Sequence, residues 1–285
     1  MSEAVSETLD EKQVRGKRLY DTGATTIRAC EADPRFSYCL YVPPEIDDTT
    51  EMVVVMHGTG RSFVAYRDAF AEFGRWNNCI VLAPLFPVGV LGDGNRDGFK
   101  YMVEGDIRYD EILLAMVGEI GDRYKRAFDR FALFGYSGGG HFCHRFLILH
   151  PDRLWAASIG APGSVTRLDA DRSWWTGVGD LESRFGVEFR PSAMAAVPVQ
   201  MVVGAADTET WEITHKPGGR HWMEGANDAG ATRPERLRAL QASFEAVGIA
   251  VRFDLIPNMA HDGMRCLDAV KTFFGDVLAD RRNAR

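Results

Sequence analysis

Two patterns of apolar positions alternate along the chain. Met52-Val53-Val54-Val55-Met56, Cys79-Ile80-Val81-Leu82-Ala83, Phe131-Ala132-Leu133-Phe134, Trp155-Ala156-Ala157-Ser158-Ile159 and Val199-Gln200-Met201-Val202-Val203 are nearly unbroken apolar runs. Such runs mark strands buried on both faces of a sheet. Between them apolar residues recur three and four apart, which predicts helices over residues 63–73, 109–124, 141–150, 233–247 and 265–278. In the second of these, Ile112, Leu113, Met116, Val117 and Ile120 form one stripe. Gly248 ends the fourth, and Val251-Arg252-Phe253-Asp254-Leu255-Ile256 supplies a last strand before the closing helix. Strands alternating with helices imply an α/β fold, a mostly parallel sheet with right-handed crossovers. An antiparallel entry hairpin precedes it, with strands over residues 25–30 and 36–42, a turn at Asp33-Pro34 and a stop at Pro43-Pro44. Residues 1–21 read as a polar lead-in, partly helical. No repeat or linker interrupts the alternation, so residues 1–285 form one domain.

Two stretches break the pattern. Residues 161–196 carry Trp174, Trp175, Phe185 and Phe189, and residues 208–232 carry Trp211, Lys216-Pro217-Gly218-Gly219, His221 and Trp222. Long insertions in α/β sheets often overhang a site. The first is expected to form a short cap or pocket wall, and the second a long loop.

Composition narrows the function classes. Hydrophobic residues make up 46% and charged residues 26%, the balance of a globular protein. The net charge of -7 and the lack of a basic stripe argue against a nucleic-acid partner. No apolar run reaches membrane-span length. The charged N-terminus lacks the apolar core of a secretory signal, so the cytoplasm is the expected compartment. Cys30, Cys39, Cys79, Cys143 and Cys266 show no C-x-x-C spacing and read as free thiols. His141 and His144 lie one helical turn apart, but no nearby carboxylate completes a metal site, and packing or surface roles are expected of them.

The chemistry concentrates after the run at residues 131–134. Gly135-Tyr136-Ser137-Gly138-Gly139 is a G-x-S-x-G motif set between a strand and a helix. That is the context of a nucleophile elbow, which lifts a serine hydroxyl above the sheet. Glycines flank it because strand and helix must approach closely there. A serine hydroxyl needs a base within reach, and the base needs a carboxylate to fix its tautomer. In one recurrent chain order, the acid and then the histidine follow the serine. Asp207 leaves the strand that ends at Val203, and His261 lies in the loop after Ile256. Both therefore stand at carboxyl ends of strands, where open α/β sheets bind ligands. Glu209, Asp169 and Asp171 are alternative acids, and Asp262 adjoins the base. For the oxyanion, the backbone N–H of Gly138 opens the helix. The second donor is expected at His57-Gly58-Thr59-Gly60, from Thr59 or, nearby, Gly60. His57 itself is expected to brace this loop.

With these motifs in hand, the chain resembles an α/β-hydrolase superfamily serine esterase. The resemblance runs from the entry hairpin to the closing helix. It rests on His57-Gly58-Thr59-Gly60, Gly135-Tyr136-Ser137-Gly138-Gly139, Asp207 after a strand and Ala260-His261-Asp262-Gly263. The elbow helix and Ala161-Pro162-Gly163 are also similar to the bacterial polyhydroxybutyrate-depolymerase and feruloyl-esterase-like group. The superfamily implies eight mostly parallel strands, with neither a metal nor an organic cofactor.

The expected activity is cleavage of small or medium carboxylic esters through an acyl-enzyme, with Ser137, Asp207 and His261 as triad and Thr59 and Gly138 as oxyanion donors. Tyr136, Trp174 and Trp175 are the candidate pocket side chains. An amidase or peptidase, a lactonase or a thioesterase would use the same residues, and a binder without turnover would keep the fold. The expected partner is a small-molecule ester rather than a membrane or nucleic acid. The sequence does not set the oligomeric state, a homodimer being one option.

Overall fold

The apolar runs become the centre of one nine-stranded sheet in the computed structural model, which describes Gly16 and residues 20–284. The expected lead-in, residues 1–21, lies almost wholly outside the described residues. In chain order the strands are β1 (Gly23–Ala24), β2 (Arg28–Ala29), β3 (Ser37–Val42), β4 (Glu51–Met56), β5 (Cys79–Leu85), β8 (Phe131–Tyr136), β9 (Leu154–Gly160), β10 (Val199–Gly204) and β11 (Val251–Ile256). A separate two-stranded ribbon pairs β6 (Val103–Glu104) with β7 (Ile107–Arg108). The order across the main sheet is β1-β3-β5-β4-β8-β9-β10-β11, and β2 also pairs with β3. The pairings β5–β4, β4–β8, β8–β9, β9–β10 and β10–β11 are parallel, and those of β3 with β1, β2 and β5 are antiparallel.

Among the described residues the sheet has nine strands rather than eight because the first entry strand is split. Thr25 turns its hydroxyl inward to accept the Leu40 N–H at 2.9 Å. The buried Arg67 guanidinium donates to the carbonyls of Thr25 and Leu40. The regular ladder therefore breaks between β1 and β2.

The helices are α1 (Phe63–Trp76), α2 (Tyr109–Tyr124), α3 (Gly138–Leu149), α4 (Leu181–Phe185), α5 (Pro191–Ala195), α6 (Arg233–Glu245) and α7 (Leu267–Asn283). Every residue of β4, β8, β9 and β10 is buried, as a central parallel strand requires. At the sheet edge β11 is only half-buried. Helix α3 lies against β8 and β9 and is buried along its whole length. Each large side chain it removes from water contributes about 1.5–3 kcal/mol. Thr232 starts α6 with a capping box, in which its hydroxyl and the Glu235 carboxylate exchange hydrogen bonds with each other's backbone N–H. All five cysteines are free and buried. No helix among the described residues is long and apolar enough to cross a membrane.

Candidate active site

Ser137 sits at the tip of the β8–α3 turn, at φ 56° and ψ −117°. This is a strained conformation for a residue with a side chain. The surroundings enforce it. A Cβ on Gly135 would lie 2.1 Å from the Gly139 carbonyl oxygen, and one on Gly140 would lie 2.2 Å from that of Gly160. Strand and helix thus touch backbone to backbone. The Ser137 N–H donates to the Gly160 carbonyl at 2.9 Å, which ties the turn to the next strand. Within residues 131–149, Ser137 is the one position that is not buried.

The β4 loop lies directly beside the elbow. A Cβ on Gly138 would stand 3.0 Å from the Thr59 backbone nitrogen. Neither the Thr59 nor the Gly138 N–H has a protein acceptor among the described residues. Arg61 braces this loop by donating to the carbonyls of Thr59, Phe86 and Arg96. His57 is wholly buried, with Nδ1 2.8 Å from the Gly58 carbonyl and Nε2 accepting the Phe86 N–H at 3.0 Å. Burial pushes its imidazole down to about 3. It holds loops together, as its place in the motif suggested.

At the far edge of the sheet, the turn after β10 and the loop after β11 are stitched together. Ala205 and Ala206 donate backbone N–H groups to the carbonyls of Ile256 and Met259. A Cβ on Gly204 would lie 2.1 Å from the Met259 carbonyl oxygen. This brings His261 to Asp207, with Nδ1 to Oδ2 at 2.6 Å. The Asp207 side chain is 0% exposed and that of His261 26%. The other Asp207 oxygen accepts from the buried Arg233 guanidinium at 3.1 Å, and Arg233 also reaches Glu212 at 2.8 Å. The alternative acids are committed elsewhere. Glu209 is exposed and accepts from Trp211, Asp169 pairs with Arg172, and Asp171 is exposed. Tyr136 fits under the histidine loop, its ring 5.1 Å from that of His261.

Two cavities, each of about 380 Å³, meet at the serine. One is lined by Gly58, Thr59, Tyr66, Tyr136, Ser137 and His261 among others. The second is lined by Thr59, Lys100, Tyr101, Ser137, His141 and residues from Glu212 to Trp222. Ser137 and His261 share the first cavity with no hydrogen bond between them. Catalytic contacts are often long before substrate binds.

Trp174 and Trp175 do not line either cavity. Both are buried, where Trp174 packs edge-on to Phe185 and Trp175 packs edge-on to Tyr101. Both rings cover the fully buried Arg145 guanidinium, at 5.9 and 5.4 Å. They fill a second core one layer behind the wall. The wall itself comes from the second insertion, and the first contributes only Gly163 to it. Sequence reading missed Lys100 and Tyr101 as site residues, and had the Glu212–Trp222 segment only as part of a long insertion of the kind that overhangs a site, with none of its side chains named for the pocket. Their signal was the charge density in two aperiodic loops.

His141 and His144 do not form a metal pair. His141 Nε2 accepts the Gly163 N–H at 2.7 Å and its Nδ1 lies 3.1 Å from the Ser164 hydroxyl. His144 Nδ1 lies 2.7 Å from the Gly140 carbonyl and its Nε2 accepts the Thr166 N–H. Burial holds both imidazoles far below their ordinary pKa, hence neutral.

No family model and no curated protein matches the chain. Solved structures do. The chain is similar to poly(aspartic acid) hydrolase-1 from Sphingomonas sp. KT-1, at 22% identity over 88% of this chain and 98% of that one, with a TM-score of 0.72. It is similar to LpqC, a poly(3-hydroxybutyrate) depolymerase from Bordetella parapertussis, at 19% identity over 90% and 91%, with a TM-score of 0.72. An S-formylglutathione hydrolase from Agrobacterium tumefaciens matches at 17% identity over 86% and 89%, with a TM-score of 0.54. From its sheet order, its strained serine turn and these likenesses, the chain has the α/β-hydrolase fold.

Proposed function

We propose that the protein is a serine hydrolase that cleaves carboxylic esters of small or medium size without a cofactor. The observation that carries this reading is the 2.6 Å hydrogen bond from His261 to the buried Asp207, held at the rim of the cavity that Ser137 enters on a strained turn.

The roles follow from the chemistry of each group. Asp207 accepts the Nδ1 proton of His261, which leaves Nε2 free as a base. Nε2 takes the Ser137 proton as the hydroxyl oxygen attacks the ester carbonyl. The Thr59 and Gly138 N–H groups, neither engaged elsewhere, donate to the oxyanion, and each is worth on the order of 10²–10³ in rate. His261 returns the proton to the leaving alcohol. Water then attacks the acyl-serine with His261 again as base, releasing the acid. Tyr136 keeps the imidazole in place by packing beneath it.

The test is turnover of 4-nitrophenyl butyrate. Ser137→Ala should lower kcat by at least a thousandfold, the scale of losing a nucleophile. Undiminished turnover by this variant would discard the reading.

A further inference from the structure

The second cavity differs in charge from the rest of the molecule. The chain carries a net charge of -7, yet five basic side chains, Arg96, Lys100, Lys216, Arg220 and Arg233, line this cavity against two acids, Asp97 and Glu212. Arg233 is taken by Asp207 and Glu212, Lys100 by Asp97, and Arg220 by Asp93. Arg96 approaches Asp97 only at 3.9 Å. Lys216 has no ion-pair partner among the described residues.

More positive charge stands just behind the wall. Arg145 is fully buried beneath Tyr101, and its hydrogen bonds go to the Lys100 carbonyl and the Thr166 and Ser164 hydroxyls. Arg236, also buried, donates to the carbonyls of Gly230, Gly163 and Ile213 and to the Asn227 side chain. Arg61 reaches only carbonyls. Each of these three guanidiniums is satisfied by neutral oxygens, and none has a carboxylate within ion-pair distance among the described residues. A buried charge is costly unless compensated. A cleft whose wall carries an excess of one sign of charge focuses that field on whatever enters. His215 and His221 are pushed down to about 4 by burial, so they supply hydrogen-bonding faces without adding charge near neutrality.

Geometry decides which part of the ester meets this field. His261 lines the other cavity and not this one. The leaving oxygen must face His261 to receive its proton, so the acyl chain extends the opposite way from Ser137. We infer that the acyl half of the substrate carries a carboxylate, which the cationic cavity holds: the protein cleaves monoesters of dicarboxylic acids. The inference rests on the hydrolase reading for its direction. In the reaction the Ser137 Oγ–acyl bond forms as the ester C–O bond breaks. His261 protonates the alcohol, and water then releases the free dicarboxylate.

The test compares two chromogenic esters that differ only at the chain end, mono-4-nitrophenyl adipate and 4-nitrophenyl hexanoate. The adipate ester should have a kcat/KM about 10- to 100-fold higher, the range of a charge-assisted hydrogen bond. Arg96→Gln combined with Lys216→Gln changes two solvent-facing side chains and should erase most of that advantage, bringing the ratio of the two kcat/KM values to within about threefold of one. Equal kcat/KM for the two esters would overturn the inference, as would an advantage that appears only when the carboxylate is on the alcohol half, in 4-carboxyphenyl hexanoate. Calorimetry on the Ser137→Ala variant separates this outcome from failure of the hydrolase reading. There monomethyl adipate should bind at least tenfold more tightly than methyl hexanoate, even if neither ester is ever cleaved, and equal binding would overturn the anion site.

Discussion

Replacing Asp207 by Asn tests the acid's role with almost no change of shape. The side chains of Asp207 and Arg233 are 0% and 3% exposed, so water cannot compensate for what the substitution removes. The new amide has two orientations. In one, its oxygen accepts from Arg233 and its NH₂ group donates to His261 Nδ1. That forces the Nε2–H tautomer, which cannot accept the Ser137 proton. In the other, the oxygen faces His261 and the NH₂ group opposes the Arg233 donor, now 3.1 Å away. The productive orientation gives up a charge-assisted hydrogen bond, about 1.5–3 kcal/mol, and adds a donor–donor conflict. It is populated at about one part in 10²–10³. Loss of the carboxylate's stabilisation of the imidazolium adds about tenfold more. The expected fall in kcat is therefore about 10³–10⁴, with KM for 4-nitrophenyl butyrate little changed. Because Arg233 dictates the amide's orientation, adding Arg233→Met to Asp207→Asn should restore about tenfold in kcat. The companion variant Glu209→Gln should turn over at the native rate. A loss below tenfold for Asp207→Asn, in protein whose urea midpoint shows it folded, would refute the assignment.

Other outcomes follow from packing and titration. Gly140→Ala places a methyl 2.2 Å from the Gly160 carbonyl and should lower stability in urea by about 3 kcal/mol or more, whereas Gly118→Ala, on an open helix face, should raise it by about 0.5–1 kcal/mol; similar midpoints for the two would contradict the packing. Trp174→Ala should cost about 3–5 kcal/mol of stability by emptying the core over Arg145, with less than a threefold change in KM for short esters, and a large KM change would return this ring to the pocket wall. His57, His141 and His144 are buried and neutral, with folded pKa values pushed below that of the unfolded chain. The unfolded state therefore binds more protons as the pH falls below about 6.5, and stability must fall with it. Between pH 7 and 5.5 the three together remove about 3–4 kcal/mol, readable as a shift of the urea midpoint. A flat profile over that interval would show that these rings are protonated or exposed in the folded state.

The strands and their ends were legible because burial on both faces writes itself as apolar runs. Residues 52–56, 131–134 and 199–203 needed no partner information, and their carboxyl ends located Ser137 and Asp207. The loop after β11 located His261 for the same reason. The glycine motif was legible because backbone contact at Gly135 and Gly139 excludes any Cβ. The expected first entry strand did not anticipate Arg67, which reaches it from α1 and interrupts the ladder. The inserts were opaque for a related reason. Their conformation is set by contacts with residues far away in sequence, such as Trp174 with Tyr101 and Trp175 with His221, and not by any local period. Arg145 in the middle of α3 gave no sign of being buried, since its partners Thr166 and Ser164 come from the first insert. The two tryptophans, read as pocket wall, serve that buried cation instead.

The central claim is that Ser137 is activated by His261. Labelling with a fluorophosphonate, followed by peptide mass mapping, tests it directly. The account predicts one covalent adduct on Ser137 in the native protein, none in Ser137→Ala, and labelling slowed at least a hundredfold in His261→Ala. An unlabelled native protein, an adduct on a different residue, or labelling of Ser137 at an undiminished rate without His261 would contradict it.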